Sequence, residues 1–190
     1  MAKQSFHDSW GNVVSKESTA FTRGLTGLEA YIRRDNIESC IVSVEEPFMV
    51  YLPEIKTYLK GVWDRIEDHG NDICIVEYKS NPSQRKRNVK TMAASSLQLP
   101  LYTLAYERVF KKSVEKVTLE IIETGERHSI PPDTVAQDMA LTSAVETVRG
   151  IQKKDFNARP GYMNCSYCPF LDVCAFRDKS ARTPQENHLL

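Results

Sequence analysis

The sequence has little of what marks membrane or secreted proteins. None of its apolar runs approaches the roughly 18 residues that cross a bilayer, and its first residues lack the apolar core of a signal peptide. Internal repeats and low-complexity stretches are also absent. These absences predict a soluble, cytoplasmic protein.

Net charge is missing as well, because 25 Lys and Arg residues balance 25 Asp and Glu residues. This balance excludes a globally basic nucleic-acid coat and an acidic disordered tail. Hydrophobic residues make up 41% of the sequence, which is enough for one buried core. The length of 190 residues is too short for two ordinary domains. We therefore predict one domain over residues 1–181, followed by a disordered tail over residues 182–190.

Hydrophobic periodicity and turn residues predict the order of helices and strands. The expected elements are a helix over 17–34, a strand over 40–52 with an irregularity near Pro47, strands over 58–68 and 72–80, a helix over 93–112, a hairpin around Thr124 and Gly125, and a helix from about 134 to 154.

The second and third strands place charged groups on one apolar face. If Gly70 and Asn71 form a two-residue turn, antiparallel partners sum to 141, and Asp64 then lies opposite Glu77. Lys79 shares that face, because side chains alternate along a strand. Opposed Cβ atoms are about 4.5 to 5.5 Å apart, so the two carboxylates can share one divalent cation.

This arrangement has two interpretations. Mg²⁺ or Mn²⁺ on the carboxylates, with the lysine nearby, would neutralise phosphoryl oxygens and activate water for phosphodiester hydrolysis. The alternative is a solvated cross-strand ion-pair cluster, which is common on protein surfaces.

Neighbouring residues favour the first interpretation. Between residues 79 and 90 there are five basic residues and no acid, which suits contact with phosphates. The residues of this segment that we expect to bind DNA are Arg85, Lys86, Arg87 and Lys90. Gln98 and Tyr102, four apart on a predicted helix, point the same way and can position DNA or a catalytic water.

Three motifs in this order resemble the signature of RecB-like nucleases of the PD-(D/E)xK superfamily. They are Gly61-Val62-Trp63-Asp64-Arg65-Ile66-Glu67, Ile75-Val76-Glu77-Tyr78-Lys79-Ser80 and Gln98-Leu99-Pro100-Leu101-Tyr102-Thr103-Leu104-Ala105. The resemblance runs from about residue 43 to 176 and includes nuclease domains fused to UvrD/AddB-type helicases and CRISPR-associated adaptation exonucleases. It implies an α/β fold with a restriction-endonuclease-like core, in which helices flank a central mixed sheet.

By this resemblance, Asp64 and Glu77 are the metal-binding acids, Lys79 is the catalytic lysine, and Gln98 with Tyr102 form the accessory motif. The implied activity is metal-dependent cleavage of DNA, as an exonuclease on single-stranded ends, in repair, recombination or CRISPR adaptation. A helicase domain or subunit is the implied partner. The alternative is a catalytically inactive module of the same fold that binds DNA or acts as a scaffold.

Three cysteines crowd near the end of the chain with ligand-like spacing: Cys165, Cys168 and Cys174. The resemblance implies a [4Fe–4S] cluster here, completed by a distant N-terminal cysteine. Cys40 and Cys74 are the candidates in this sequence, but Cys74 has the opposite strand parity to Glu77, which favours a packed core thiol. Zinc held by the three cysteines and a histidine is the alternative.

The motif histidine of the family and its distant fourth cysteine have no clear counterpart in the sequence. His7 is a candidate for the motif histidine, although a plain surface histidine is the commoner case. Glu45, in the first strand, occupies a position where such nucleases often carry a glutamate. The short beginning, followed at once by family-like sequence, suggests either a fragment of a longer helicase–nuclease or a divergent short member.

Overall fold

A mixed β-sheet of five strands forms the centre of the structure, a computed structural model that describes residues 2–10, 18–34, 40–70, 72–80, 88–122 and 124–181. Its strands are β1 (Ile41–Leu52), β2 (Thr57–Asp68), β3 (Ile73–Lys79), β4 (Lys116–Ile121) and β5 (Arg127–Ile130), in that spatial order. Only β3 and β4 are parallel. A parallel pair needs a crossover connection, and helices supply it here.

The helices are α1 (Ala2–Trp10), α2 (Thr19–Arg34), α3 (Val89–Ala94), α4 (Gln98–Phe110), α5 (Thr134–Gln152) and α6 (Tyr162–Ser166), followed by a short 3₁₀ helix (Leu171–Val173). The α3–α4 pair lies in the crossover between β3 and β4. The expected mixed sheet with flanking helices is therefore present.

The chain divides into two compact units. Residues 1–145 contain the sheet, and residues 146–190 contain the three clustered cysteines. The single domain over residues 1–181 stays a prediction, and the expected disordered tail, 182–190, lies outside the described residues.

The β2–β3 hairpin follows the predicted register. Its ladder pairs Asp68 with Ile73 and continues to Arg65 and Val76, so every pair sums to 141. The amide of His69 donates to the carbonyl of Asp72 at 3.2 Å, and Gly70 has the positive φ of 81° that a tight turn requires. The other predicted turn residue, Asn71, lies outside the described residues.

The irregularity predicted near Pro47 is present two residues before it, at Glu45, and a second one lies nearer the start of β1. The register shifts between Ile41 and Ser43, whereas Pro47 pairs regularly with Val62. Proline is tolerated there because β1 is an edge strand. Glu45 has a φ of 52°, and the inward-facing positions of β1 change from odd to even numbers around it. Beyond this point Phe48 faces the core, and the odd-numbered residues face solvent.

The helix predicted over residues 93–112 is wrong at its start, since residues 95–97 separate α3 from α4. The reason is a side-chain cap. The hydroxyl of Ser96 accepts hydrogen bonds from the amides of Gln98 and Leu99, each at 3.2 Å, and so begins a new helix at Gln98. Pro100 follows within the first turn, where the missing amide proton costs nothing.

An aromatic cluster joins the β1–β2 hairpin to α4. Trp63 is buried, with its ring centroid 4.4 Å from that of Phe48 and 5.7 Å from that of Tyr106. The Trp63 Nε1–H donates to the carbonyl oxygen of Tyr102 at 3.1 Å. Gly61 lies opposite Phe48, and a Cβ atom at Gly61 would overlap the Phe48 ring. The cluster therefore fixes α4 against β2.

Candidate active site

Asp64 lies one residue beyond the end of the β2–β3 ladder. Its Oδ2 accepts a hydrogen bond from the backbone N–H of Tyr78 at 2.7 Å, across the gap where the strands separate. The side chain thus takes the place that a backbone carbonyl occupies within the ladder. This contact holds the Asp64 carboxylate beside Glu77.

Glu77 is buried and carries an oxygen that lacks a hydrogen bond. Its Oε1 accepts from the Lys79 ammonium, whereas Oε2 has no hydrogen-bond partner among the described residues. Burial raises the pKa of Glu77; the nearby Asp64 charge raises it further, and Lys79 opposes the shift. A buried carboxylate oxygen without a partner requires a proton or a cation.

Lys79 connects this acid pair to α4. Its Nζ donates to Gln98 Oε1 at 2.7 Å, and Gln98 Nε2 donates to the Tyr102 hydroxyl at 2.7 Å. Burial is the main cause that raises the pKa of Tyr102 to about 12, with the charges of Glu77 and Asp64 adding to it. Tyr102 is therefore protonated at neutral pH and can act as a hydrogen-bond donor.

The structure thus brings together the five residues that the sequence places in the site. Two carboxylates with one orphaned, buried oxygen form a donor set that fits Mg²⁺ or Mn²⁺, ions that bind one or two carboxylates and keep several waters. In the part of the chain that the structure describes, no three His, Cys, Asp or Glu side chains are grouped as a metal site. The acid pair would hold the ion together with water or substrate oxygens.

The predicted DNA-contact segment is described only in part. Arg85, Lys86 and Arg87 lie outside the described residues. Lys90 is exposed in the first turn of α3, where Asn88 Oδ1 accepts a hydrogen bond from its amide at 2.8 Å.

The clustered cysteines do not form a metal group in the structure. Cys165 is buried, and Cys168 and Cys174 are half-buried. Cys165 Sγ accepts a hydrogen bond from the amide of Asp178 at 3.3 Å. None of the described cysteine groups is arranged to hold a metal ion, so the [4Fe–4S] cluster and its zinc alternative stay predictions and no step is assigned to either.

The other cysteines and the candidate histidine are placed as follows. Cys74 is buried, with Sγ 3.4 Å from Thr118 Oγ1, and burial raises the pKa of its thiol, as a packed core thiol requires. Cys40 is half-buried just before β1. His7 is half-buried on α1, with its ring centroid 5.1 Å from that of Phe21. Glu45 is exposed.

Sequence reasoning missed the supports behind the acid pair. Tyr78 contributes a backbone amide to the site, while its hydroxyl lies 2.7 Å from that of Tyr31 on α2. Arg65 Nη1 donates to the Tyr31 hydroxyl at 2.5 Å, and the guanidinium lies 5.5 Å from the centre of the Tyr78 ring. The available signal was the strand parity of Arg65 and Tyr78, which face away from Glu77.

No helix in the described ranges has the length and apolar character that a bilayer span requires.

Comparison with known proteins agrees with the geometry. A family model described as "PD-(D/E)XK nuclease superfamily" matches residues 3–175. No curated protein matches the sequence. The crystal structure of the protein SSO0001 is similar, with a TM-score of 0.50 and 14% identity over 92% of this chain and 80% of that chain.

A second crystal structure, of a Eubacterium rectale protein named as a candidate exonuclease, has a TM-score of 0.57 and 13% identity over 89% of this chain and 67% of that chain. At these identities the likeness shows the fold alone. It confirms the prediction of an α/β domain with a restriction-endonuclease-like core.

Proposed function

Because this chain belongs to the PD-(D/E)xK nuclease superfamily, we propose that it hydrolyses DNA phosphodiester bonds with the help of Mg²⁺ or Mn²⁺. The observation that carries the proposal is the buried Glu77 carboxylate, which has an orphaned oxygen beside Asp64 and an ion pair with Lys79. A surface ion-pair cluster would not bury an acid in this way.

Asp64 and Glu77 are the residues that would hold the ion. When bound, it would supply charge neutralisation at the phosphoryl oxygens and a more acidic water. Lys79 is a second positive charge at the same place, which stabilises negative charge developing on the phosphate or orients the attacking water. Gln98 fixes the direction of the Lys79 ammonium, and Tyr102 in turn holds the amide of Gln98.

The finer parts of the proposal have separate support. Exonuclease action on DNA ends is supported by the motif resemblance and by the name of one structural relative. Association with a helicase, and a role in repair, recombination or CRISPR adaptation, are supported by the motif resemblance alone. Contact of the basic segment with phosphates, through Lys90 and the residues at 85–87, is supported by its charge.

The experiment that tests the function measures degradation of end-labelled single- and double-stranded DNA with Mn²⁺, with Mg²⁺ and with EDTA. We expect metal-dependent degradation by the parent chain. Lys79→Gln should lower the cleavage rate about 10²-fold or more, because it removes the positive charge next to the reacting phosphate. Lys116→Gln, at an exposed position of β4, is the matched control and should cleave like the parent.

Two outcomes would contradict the proposal. Equal cleavage by the parent and Lys79→Gln would place the chemistry elsewhere or in a contaminant. A folded parent chain that binds DNA but does not cleave it with either metal would favour the inactive DNA-binding module instead.

The cysteine segment has its own test. We propose that it carries a [4Fe–4S] cluster, supported by its ligand-like spacing and the family resemblance, and we expect iron and acid-labile sulfide in protein purified without oxygen. Cys168→Ser should lower both contents. Zinc without sulfide would favour the zinc site over the cluster. Protein that contains neither iron nor zinc would show that this segment binds no metal.

A further inference from the structure

The two proposed metal-binding acids lie across a gap between β2 and β3. The backbone ladder that joins these strands ends at Arg65 and Val76, so Asp64 and Glu77 lie beyond its last pair. On its other side, β3 stays paired with β4 up to Lys79. The backbone ladders therefore fix Glu77 relative to β4 and leave its distance from Asp64 to contacts of side chains.

Side-chain contacts cross this gap at the acid pair and behind it. At the acid pair, Asp64 Oδ2 accepts a hydrogen bond from the Tyr78 amide at 2.7 Å. On the opposite side of β3 from Glu77, the Tyr78 side chain contacts Tyr31 of α2 and Arg65 of β2. We call Tyr31, Arg65 and Tyr78 the rear cluster.

The rear cluster is held together by contacts in several directions. Arg65 Nη1 donates to the Tyr31 hydroxyl at 2.5 Å, and that hydroxyl lies 2.7 Å from the Tyr78 hydroxyl. The two tyrosine rings meet edge to face with centroids 5.7 Å apart, and the Arg65 guanidinium lies 5.5 Å from the centre of the Tyr78 ring. Arg65 Nη2 also pairs with Glu67 Oε1 at 2.5 Å. These contacts tie β3 to β2 and α2 behind the acid pair.

The rear cluster contains a buried charge that fold stability alone does not require. Arg65 is 3% exposed, and its partner Glu67 is 8% exposed. The desolvation of a buried ion pair offsets much of its attraction, and hydrophobic residues of similar size often fill such a place without loss of stability. Hydrogen bonds of a charged, planar guanidinium fix distances and directions more narrowly than apolar packing does. The cluster is therefore better suited to fix a geometry than to stabilise the fold.

We propose that the rear cluster sets the separation of the Asp64 and Glu77 carboxylates and thereby makes the site select Mg²⁺ over Ca²⁺. Tyr31, Arg65 and Tyr78 are positioning residues in this inference, which rests on the proposed function and deepens it by assigning the metal selectivity of the same site. Mg²⁺ requires a nearly ideal octahedron with ligands at about 2.0 to 2.1 Å, whereas Ca²⁺ accepts more ligands, at about 2.3 to 2.6 Å, in flexible arrangements. A gap of fixed width favours the smaller and stricter ion.

A loosened rear cluster would let the gap widen. The Asp64 and Glu77 carboxylates are close enough to interact, and like charges repel each other. The hydrogen bond from the Tyr78 amide opposes this repulsion as long as Tyr78 stays in place. Tyr31 and Arg65 hold it there from behind. Loosening should therefore weaken the binding of Mg²⁺ more than that of Ca²⁺, which tolerates a wider site.

Tyr31→Phe tests the inference, because it removes the hydroxyl that contacts both Arg65 and Tyr78 and keeps the ring. Bound Mn²⁺ is measured by electron paramagnetic resonance, and Mg²⁺ and Ca²⁺ are titrated against it. We expect Tyr31→Phe to weaken Mg²⁺ binding about tenfold, the low end of the effect of residues that orient metal ligands, and Ca²⁺ binding about twofold or less. Tyr58→Phe removes an exposed tyrosine hydroxyl from the same sheet and is the matched control, which should bind all three ions like the parent.

Tyr78→Phe gives a second measurement. It removes the hydrogen bond between the two tyrosines but leaves the contact of Arg65 with Tyr31, so its effect should be smaller than that of Tyr31→Phe. Added to Tyr31→Phe it should change little, because the shared hydrogen bond is already lost. Both variants keep the backbone amide that binds Asp64. Thermal unfolding in EDTA shows whether each variant is folded, and if Tyr31→Phe is not, the Tyr78→Phe ratio decides in its place.

The inference is overturned if folded Tyr31→Phe binds Mg²⁺ as the parent does. Equal weakening of Mg²⁺ and Ca²⁺ would overturn it too, since a merely structural contact would loosen the site for both ions. A parent that binds the ions but does not cleave DNA would contradict the proposed function, while the ratio of Mg²⁺ to Ca²⁺ affinity would still decide the role of the rear cluster. A parent that binds none of the ions would overturn both.

Discussion

Asp64→Asn is expected to lower metal-dependent DNA cleavage by about 10³-fold or more. The substitution keeps the size of the side chain and an oxygen that can accept from the Tyr78 amide, but it removes one of the two charges that would hold the metal ion. A bound ion contributes several kcal/mol to stabilising the transition state, and each 1.36 kcal/mol corresponds to about a tenfold change in rate. The rate of release of labelled nucleotides in Mn²⁺ and in Mg²⁺ measures the effect.

Asp72→Asn provides the control, because Asp72 is an exposed aspartate of the same hairpin beyond the end of β2. It should cleave like the parent chain. Circular dichroism checks that Asp64→Asn is folded. A folded Asp64→Asn chain that cleaves within about tenfold of the parent rate would rule out this carboxylate as an essential metal ligand.

Glu77→Gln is expected to abolish cleavage and, at the same time, to stabilise the metal-free protein at neutral pH. Burial and the Asp64 charge raise the pKa of Glu77, so the folded chain holds this proton more tightly than the unfolded chain does. The stability that the proton provides is present below the ordinary glutamate pKa and is lost as pH rises through the raised pKa. Glutamine resembles the protonated form at every pH and removes this loss.

Melting temperatures in EDTA across the acid and neutral range measure the effect. Glu77→Gln should melt above the parent at neutral pH, by roughly 2 to 4 °C for each kcal/mol gained in a chain of this size, and the difference should shrink as the pH falls. Mn²⁺ should raise the melting temperature of the parent and not that of Glu77→Gln, because the ion binds the ionised acid.

Glu115→Gln removes a charge at an exposed position and is the matched control, for which we expect neither effect. A Glu77→Gln chain that melts below the parent in EDTA at neutral pH would show that the ion pair with Lys79 outweighs the burial and repulsion that we infer.

The geometry of the acid pair could be predicted from the sequence because it depends on local rules. The turn at Gly70 sets the register of β2 and β3, and alternation then puts Asp64, Glu77 and Lys79 on one side. The sequence pattern did not predict that the β2–β3 ladder ends at Arg65 and Val76. There the Asp64 side chain, rather than a backbone carbonyl, binds the Tyr78 amide.

Other features depend on contacts between residues distant in sequence. Hydrophobic spacing alone predicted one helix that begins before Ser96. Ser96, which precedes Pro100, was the available signal that a new helix starts there. The contact of Arg65 with Tyr31 joins β2 to a helix far along the chain, and no periodicity specifies such a pairing. Cysteine spacing shows which thiols are neighbours along the chain, but not whether their sulfur atoms converge.

Gly61 illustrates how a residue with no side chain can control the site. A larger residue there would displace the Phe48 ring and, through it, the Trp63 indole that binds the Tyr102 carbonyl. Such a displacement would move Tyr102 and Gln98 relative to Lys79, although Gly61 lies outside the site formed by Asp64, Glu77 and Lys79. We therefore expect substitutions to be tolerated poorly at Gly61 as well as at the charged residues of the site, although Gly61 takes no part in the chemistry.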